Sequence, residues 1–205
     1  MEDMQQACGK VRNATYKLSL YDTKTKNDKL LAIADKILAS KKEIKAVNAM
    51  DIQNAKGKLS DAMIDRLTLT DARIELMAEG VRQVAELDDP VGKVVRQWTV
   101  ESGLEIKKVR APLGVIGVIY ESRPNVTVDV ASLCIKSGNG VILKGGKEAI
   151  NSNRALFEII QKAIEELGYD KDIVGFVDNV ERSATYEMLQ QAKYIDVIIP
   201  RGSDN

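Results

Sequence analysis

At Asp88-Asp89-Pro90-Val91-Gly92 the hydrophobic pattern changes period, and this switch constrains the fold more than any other feature of the chain. Upstream, apolar residues recur at helical spacing: Val11 and Leu18, then Leu30, Ile33, Ala34, Ile37 and Leu38, then Ile44 and Val47, and finally Ile74, Met77, Val81 and Val84. Ser60 and Thr70, each followed by aspartate, carry oxygens suited to accept from the free N–H groups of a helix start, so short helices are expected to begin there. Pro90 disfavours helix in the residue before it, which ends the last of them.

Downstream, short Val/Ile-rich runs alternate with helical stretches. Leu104-Glu105-Ile106 begins a strand, Pro112 marks a strand start or bend, and Val115–Tyr120 and residues 141–144, 173–177 and 195–199 read as further strands. The intervening helices are expected over 126–137, with Val126, Val130, Leu133 and Cys134 inward, and from an Asn151-Ser152 cap to Gly168, with Leu156, Ile159, Ile160, Ala163 and Leu167 inward. A third spans 183–191. Continuous apolar strands separated by helices imply a parallel sheet covered on both faces. The expected class is therefore α/β, a Rossmann-type parallel sheet with helices on both faces, preceded by an N-terminal helical region. Its parts are a helical region over 1–92, a linker and strand arm over 93–112, and about half of a dinucleotide-binding domain over 113–205.

Composition removes several kinds of chemistry. The chain has no histidine, so Ser-His-Asp and Cys-His nucleophile pairs and a His general base are excluded. Its two cysteines, Cys8 and Cys134, cannot build an all-cysteine metal site and form no CxxC pair; Cys134 falls on an apolar helical face and Cys8 near a terminus expected to be mobile, and neither reads as a nucleophile. No metal is expected. Lysines and arginines number 30 against 30 acidic residues, so no net field attracts nucleic acid, and with one Trp, six Tyr and two Phe there are few rings for bases to stack on. No run approaches the roughly 20 apolar residues of a membrane span, and the acidic start lacks a signal-peptide layout. The expectation is a cytoplasmic protein with no membrane partner.

Parallel sheets bind ligands at the carboxyl ends of their strands, which directs attention to three loops. Glu121-Ser122-Arg123-Pro124-Asn125 places a cation and an amide at a helix start, suited to anion binding or an oxyanion, or else to a plain N-cap and a surface ion pair. Lys144-Gly145-Gly146-Lys147-Glu148 sets two glycines at a strand end beside a cation and a carboxylate able to meet a phosphate and a ribose hydroxyl, or forms a solvated turn. It fits neither GxxxxGK[ST] nor GxGxxG. Arg201-Gly202-Ser203 presents backbone donors after the last strand.

The stretch from Val109 through Glu121-Ser122-Arg123-Pro124-Asn125-Val126-Thr127 resembles the gamma-glutamyl phosphate reductase family of the aldehyde dehydrogenase superfamily. The likeness continues through Ser137-Gly138-Asn139 and Val141–Ala149, and upstream through Asp65-Arg66-Leu67 and Asp89-Pro90-Val91-Gly92. The resemblance implies an aldehyde-dehydrogenase-like fold. It implies NADPH-dependent reduction of L-glutamyl 5-phosphate to L-glutamate 5-semialdehyde with phosphate release, in proline biosynthesis. By the same resemblance, Asn125 corresponds to an oxyanion donor and Ser122 and Arg123 to substrate contacts. Lys144, Gly145, Gly146, Glu148, Arg201 and Gly202 correspond to contacts with NADP. Residues 98–109 correspond to an oligomerisation arm, with an ordinary hairpin as the alternative, and a homo-oligomer is expected. The family's cysteine nucleophile lies in its second half, at a position that neither Cys8 nor Cys134 occupies. The sequence thus reads as the N-terminal half of such an enzyme, inactive alone; the alternative is a non-catalytic α/β module that binds a cofactor or partner.

Overall fold

The computed structural model describes residues 3–202. Five helices come first: α1 (Met4–Leu18), α2 (Thr23–Ala39), α3 (Lys41–Ala55), α4 (Asp61–Leu67) and α5 (Asp71–Glu86). Ser60 and Thr70 cap as expected, accepting from the N–H groups of Met63 and Arg73 at 3.4 and 3.2 Å. Strands β1 (Val94–Thr99) and β2 (Glu105–Val109) then form an exposed antiparallel hairpin, so the expected arm includes a first strand that the polar sequence around Arg96 and Gln97 did not reveal.

Four parallel strands follow: β3 (Val115–Tyr120), β4 (Gly140–Lys144), β5 (Val174–Phe176) and β6 (Val197–Arg201), in the order β5-β4-β3-β6. They alternate with α6 (Asn125–Lys136), α7 (Ile150–Glu166) and α8 (Arg182–Leu189). The α/β class is as expected. Strand parity assigns the faces. Ile116, Val118, Val141 and Leu143 join one core with α2, α5, α6 and α7. Val115 and Ile142 face the other way, into a cluster with Cys8 and Val11 of α1 and Ala184 and Met188 of α8. The first helix of the chain thus covers one face of a sheet that begins about a hundred residues later. Cys8, expected near a mobile end, is fully buried there.

Four details differ from the sequence expectations. Val126 and Cys134 are buried as expected, but Leu133 is 51% exposed, because α6 is packed on two sides and its buried set widens to Thr127, Val128, Ala131 and Ile135 instead. Leu167 is 42% exposed, lying just past the end of α7. The α7 start is not capped by its own Asn151 or Ser152; the acceptor is Asp51 of α3. The last strand begins at Val197 rather than at residue 195, since the Ile195 N–H still closes a turn onto the Gln191 carbonyl at 2.9 Å and its side chain fills the α8 cluster.

Candidate functional site

Register brings the three expected loops to one edge. Tyr120 pairs with Arg201 and Ile119 with Lys144, so the β3, β4 and β6 strands end side by side. A cavity of about 330 Å³ opens there, lined by Arg66, Glu121, Ser122, Arg123, Arg201 and Gly202 among others. A neighbouring cavity of about 350 Å³ shares Arg66 and Arg123 and adds Arg73, Asn125 and Asp129. Ser203 lies outside the described residues.

The β3–α6 loop is tightly folded. The Arg123 N–H donates to the Glu121 carbonyl at 2.6 Å. Asn125 is the first residue of α6, not its cap, and its Nδ2 donates to Asp129 Oδ2 at 2.9 Å. Asp129 is half-buried; burial raises its pKa, opposed by the Asn125 bond and the Arg201 charge. Below the loop, the Tyr120 hydroxyl and Thr127 Oγ1 lie 2.6 Å apart, and Thr127 Oγ1 donates to Asn153 Oδ1 at 3.1 Å, which anchors α6 and α7 to the strand end.

The Lys144 loop is arranged differently from the solvated-turn reading. Lys144 is buried and donates from Nζ to the Asn179 carbonyl at 3.1 Å; burial lowers its pKa, against the pull of Glu181. A Cβ on Gly145 would run into the Asn153 amide and approach the Tyr120 ring, and one on Gly146 would meet Glu148 Oε2 at 2.8 Å. At Gly145 glycine is required by the protein's own packing, whereas at Gly146 only the mobile end of Glu148 would have to move. The Glu148 carboxylate accepts from Ser122 Oγ at 3.4 Å, linking the first two loops. Glu148 also lines, with Lys147 and Lys58, a separate cavity next to α3.

Arg66 is the residue that sequence reasoning missed at this edge. It sits in the last turn of α4, and the α4–α5 link is pinned by Asn48, whose amide donates to the Leu67 carbonyl at 2.9 Å and accepts from the Leu69 N–H at 2.8 Å. Arg73 Nη2 donates to both oxygens of the Asp65 carboxylate at 2.9 and 3.0 Å. Arg66 itself, like Arg123 and Arg201, enters none of the ion pairs among the described residues. Three guanidinium groups line one cavity together with the Glu121 carboxylate, and each guanidinium offers a planar fork of donors that matches phosphate or carboxylate.

The aldehyde dehydrogenase family pattern matches residues 1–205. The chain belongs to the aldehyde dehydrogenase family. Among curated relatives, it is 47% identical over 203 residues to the gamma-glutamyl phosphate reductase of Desulforamulus reducens, covering 98% of this chain and 49% of that protein. Among solved structures, the gamma-glutamyl phosphate reductase of Thermotoga maritima superposes with a TM-score of 0.95 at 40% identity, over 98% of this chain and 49% of that one. The reductase of Saccharomyces cerevisiae gives 0.91 at 35%, over 100% and 52%. The chain spans about half the length of the relatives it matches.

Within this family frame, neither cysteine is placed for thiolate chemistry. Burial pushes Cys8 up to about 11, with Asp3 adding to the rise, and pushes Cys134 up to about 12. Both are sealed in core clusters. Among the described residues no helix is long and apolar enough to cross a membrane.

Proposed function

We propose that the protein carrying this chain reduces L-glutamyl 5-phosphate to L-glutamate 5-semialdehyde with NADPH, releasing phosphate, as a cytoplasmic homo-oligomer in proline biosynthesis. The observation that carries this reading is the cavity ringed by Arg66, Arg123 and Arg201 at the carboxyl edge of the sheet. It is joined by the 47% identity to a relative named for that reaction. Residues 1–92 act as a helical region, 93–112 as an arm between subunits, and 113–205 as part of the dinucleotide-binding domain.

The donor set fits a nicotinamide dinucleotide. A lysine buried at a strand end, a carboxylate four residues on and two glycines between them match a ribose with its phosphate. Lys144 and Glu148 hold that ribose, the backbone of Gly145 and Gly146 lies beside it, and Arg201 and Gly202 meet the phosphates. When bound, the cofactor supplies the hydride. Arg123 and Ser122 hold the substrate, and Asn125, released from Asp129, donates to the oxygen that gains charge during acyl transfer. Each charge-assisted hydrogen bond to a phosphate contributes on the order of 1.5–3 kcal/mol, so the arginines favour a phosphorylated over a free carboxyl substrate.

The test is the reverse reaction on the native gene product: phosphate-dependent reduction of NADP+ with L-glutamate 5-semialdehyde. Turnover is expected from that protein and none from the 205-residue chain alone, where both thiols are buried. Saturable NADPH binding by the native product without turnover would replace this reading with the non-catalytic module.

A further inference from the structure

The second cavity has a character that the proposed reaction leaves unused. Its wall joins cations to a carboxylate: Arg66 and Arg123 are shared with the first cavity, and Asp129 stands among them. Two observations make Asp129 more than a surface acid. It is half-buried on α6, its side chain accepts from the neutral Asn125 amide, and it enters none of the ion pairs among the described residues, so that Arg201 acts on its charge only from beyond salt-bridge distance. The other acid of this cavity, Asp65, is already engaged by Arg73. A carboxylate taken partly out of water is unfavourable unless a positive group meets it. The arginines across the cavity are themselves exposed and offer forks to an anion.

We infer that Asp129 and Arg66 together read the amino-acid end of the substrate, Asp129 accepting from its α-ammonium and Arg66 binding its α-carboxylate. This inference rests on the reaction proposed above, and it makes the two residues specificity determinants rather than catalytic ones. The phosphorylated end then lies in the first cavity, against Arg123 and Ser122, and the shared wall of Arg66 and Arg123 sets the distance between the two ends. A substrate with the same carboxylate but no amine loses the Asp129 contact alone. A site built to pair with a buried polar group discriminates strongly against an analogue lacking it, because the group is then left unpaired.

The experiment compares L-glutamate 5-semialdehyde with 5-oxopentanoate, which lacks only the amine, in the reverse reaction of the native gene product. The unaltered protein is expected to prefer the amino compound by at least about tenfold in kcat/KM. Asp129→Asn should erase that preference by raising KM for the amino compound alone, with kcat changed less than threefold by expectation. Arg66→Ala should raise KM for both compounds about equally, and Arg66→Lys should restore part of the loss. Asp129→Asn that keeps the preference overturns the role of Asp129, and Arg66→Ala with unchanged KM overturns that of Arg66. Arg66 is exposed on α4, so its variants report even where Asp129→Asn does not fold. Absence of turnover with either compound in the unaltered protein would instead reject the underlying reaction.

Discussion

Asp51 Oδ2 accepts from the Ser152 backbone N–H at 2.7 Å and from the Ser152 hydroxyl at 2.6 Å, while its Oδ1 takes the Asn151 amide at 2.7 Å. One carboxylate on α3 thereby satisfies the first turn of α7, a hundred residues away, and places negative charge where the helix dipole favours it. Asn48, one turn earlier, donates to the same Ser152 hydroxyl at 3.0 Å and also fixes the α4–α5 link that carries Arg66.

Asp51→Ala removes the acceptor and leaves buried N–H and hydroxyl donors unpaired. The expected loss is about 2–4 kcal/mol, combining a lost cap of ~1 with unsatisfied donors of ~1–3. Asp51→Asn should lose less, since one amide oxygen still accepts. Urea denaturation midpoints check both, and equal losses for the two variants would count against a capping role.

Gly114 leads into β3 with φ at 120°, and a Cβ there would fall on the Asp196 carboxylate. That carboxylate accepts from the Val115 N–H at 2.7 Å and pairs with Arg12 at 2.8 Å. Gly114→Ala therefore combines backbone strain with displacement of a paired charge and should destabilise by more than about 3 kcal/mol. Gly103, at φ 83° in the hairpin turn, has open space around its Cα, so Gly103→Ala should destabilise by only about 1 kcal/mol. Similar melting temperatures for the two variants would contradict the packing at Gly114.

The two thiols should resist alkylation by iodoacetamide at pH 8. Burial raises both, to about 11 and about 12, so the thiolate fraction in the folded chain at pH 8 is on the order of 0.1% or less. Modification should follow unfolding and rise together at both sites in urea. Fast labelling of either cysteine under native conditions would show that its cluster is open.

Lys29 is fully buried on α2, with Nζ 3.1 Å from the Tyr169 ring centroid and 4.0 Å from that of Tyr21. Burial lowers its pKa to about 8, against the pull of Asp28 and Asp22, so between pH 8 and the unfolded value near 10.4 the unfolded chain binds more protons. This group's contribution to stability therefore rises with pH across that window, and below pH 8 its full cost is present. In paired urea titrations the stability of the native chain relative to Lys29→Met should increase from pH 7.5 to pH 10. A difference that stays constant with pH would mean that the two ring faces hold the ammonium charged throughout.

Much of this molecule is local and was legible as such. The caps at Ser60 and Thr70, the left-handed Gly168, the Val115–Tyr120 strand and the burial of Cys134 each depend on neighbours within a few residues, and each appears where the pattern places it. Pairing and coverage are not local. Strand β1 is polar and becomes a strand through the partner that the turn near Gly103 brings back to it. Gly145 reads as room for a ligand until Asn153 of α7 is seen to fill that room.

The alternation of strands and helices, and hence the edge at which Ser122, Lys144 and Arg201 meet, can be read along the chain, because side-chain period and parallel connection follow from chain geometry. That Arg66 reaches that edge, that Asp51 caps α7 and that α1 covers the sheet emerge only on folding, because those contacts join residues far apart in the chain and are selected by the packing of whole helices rather than by any spacing along it.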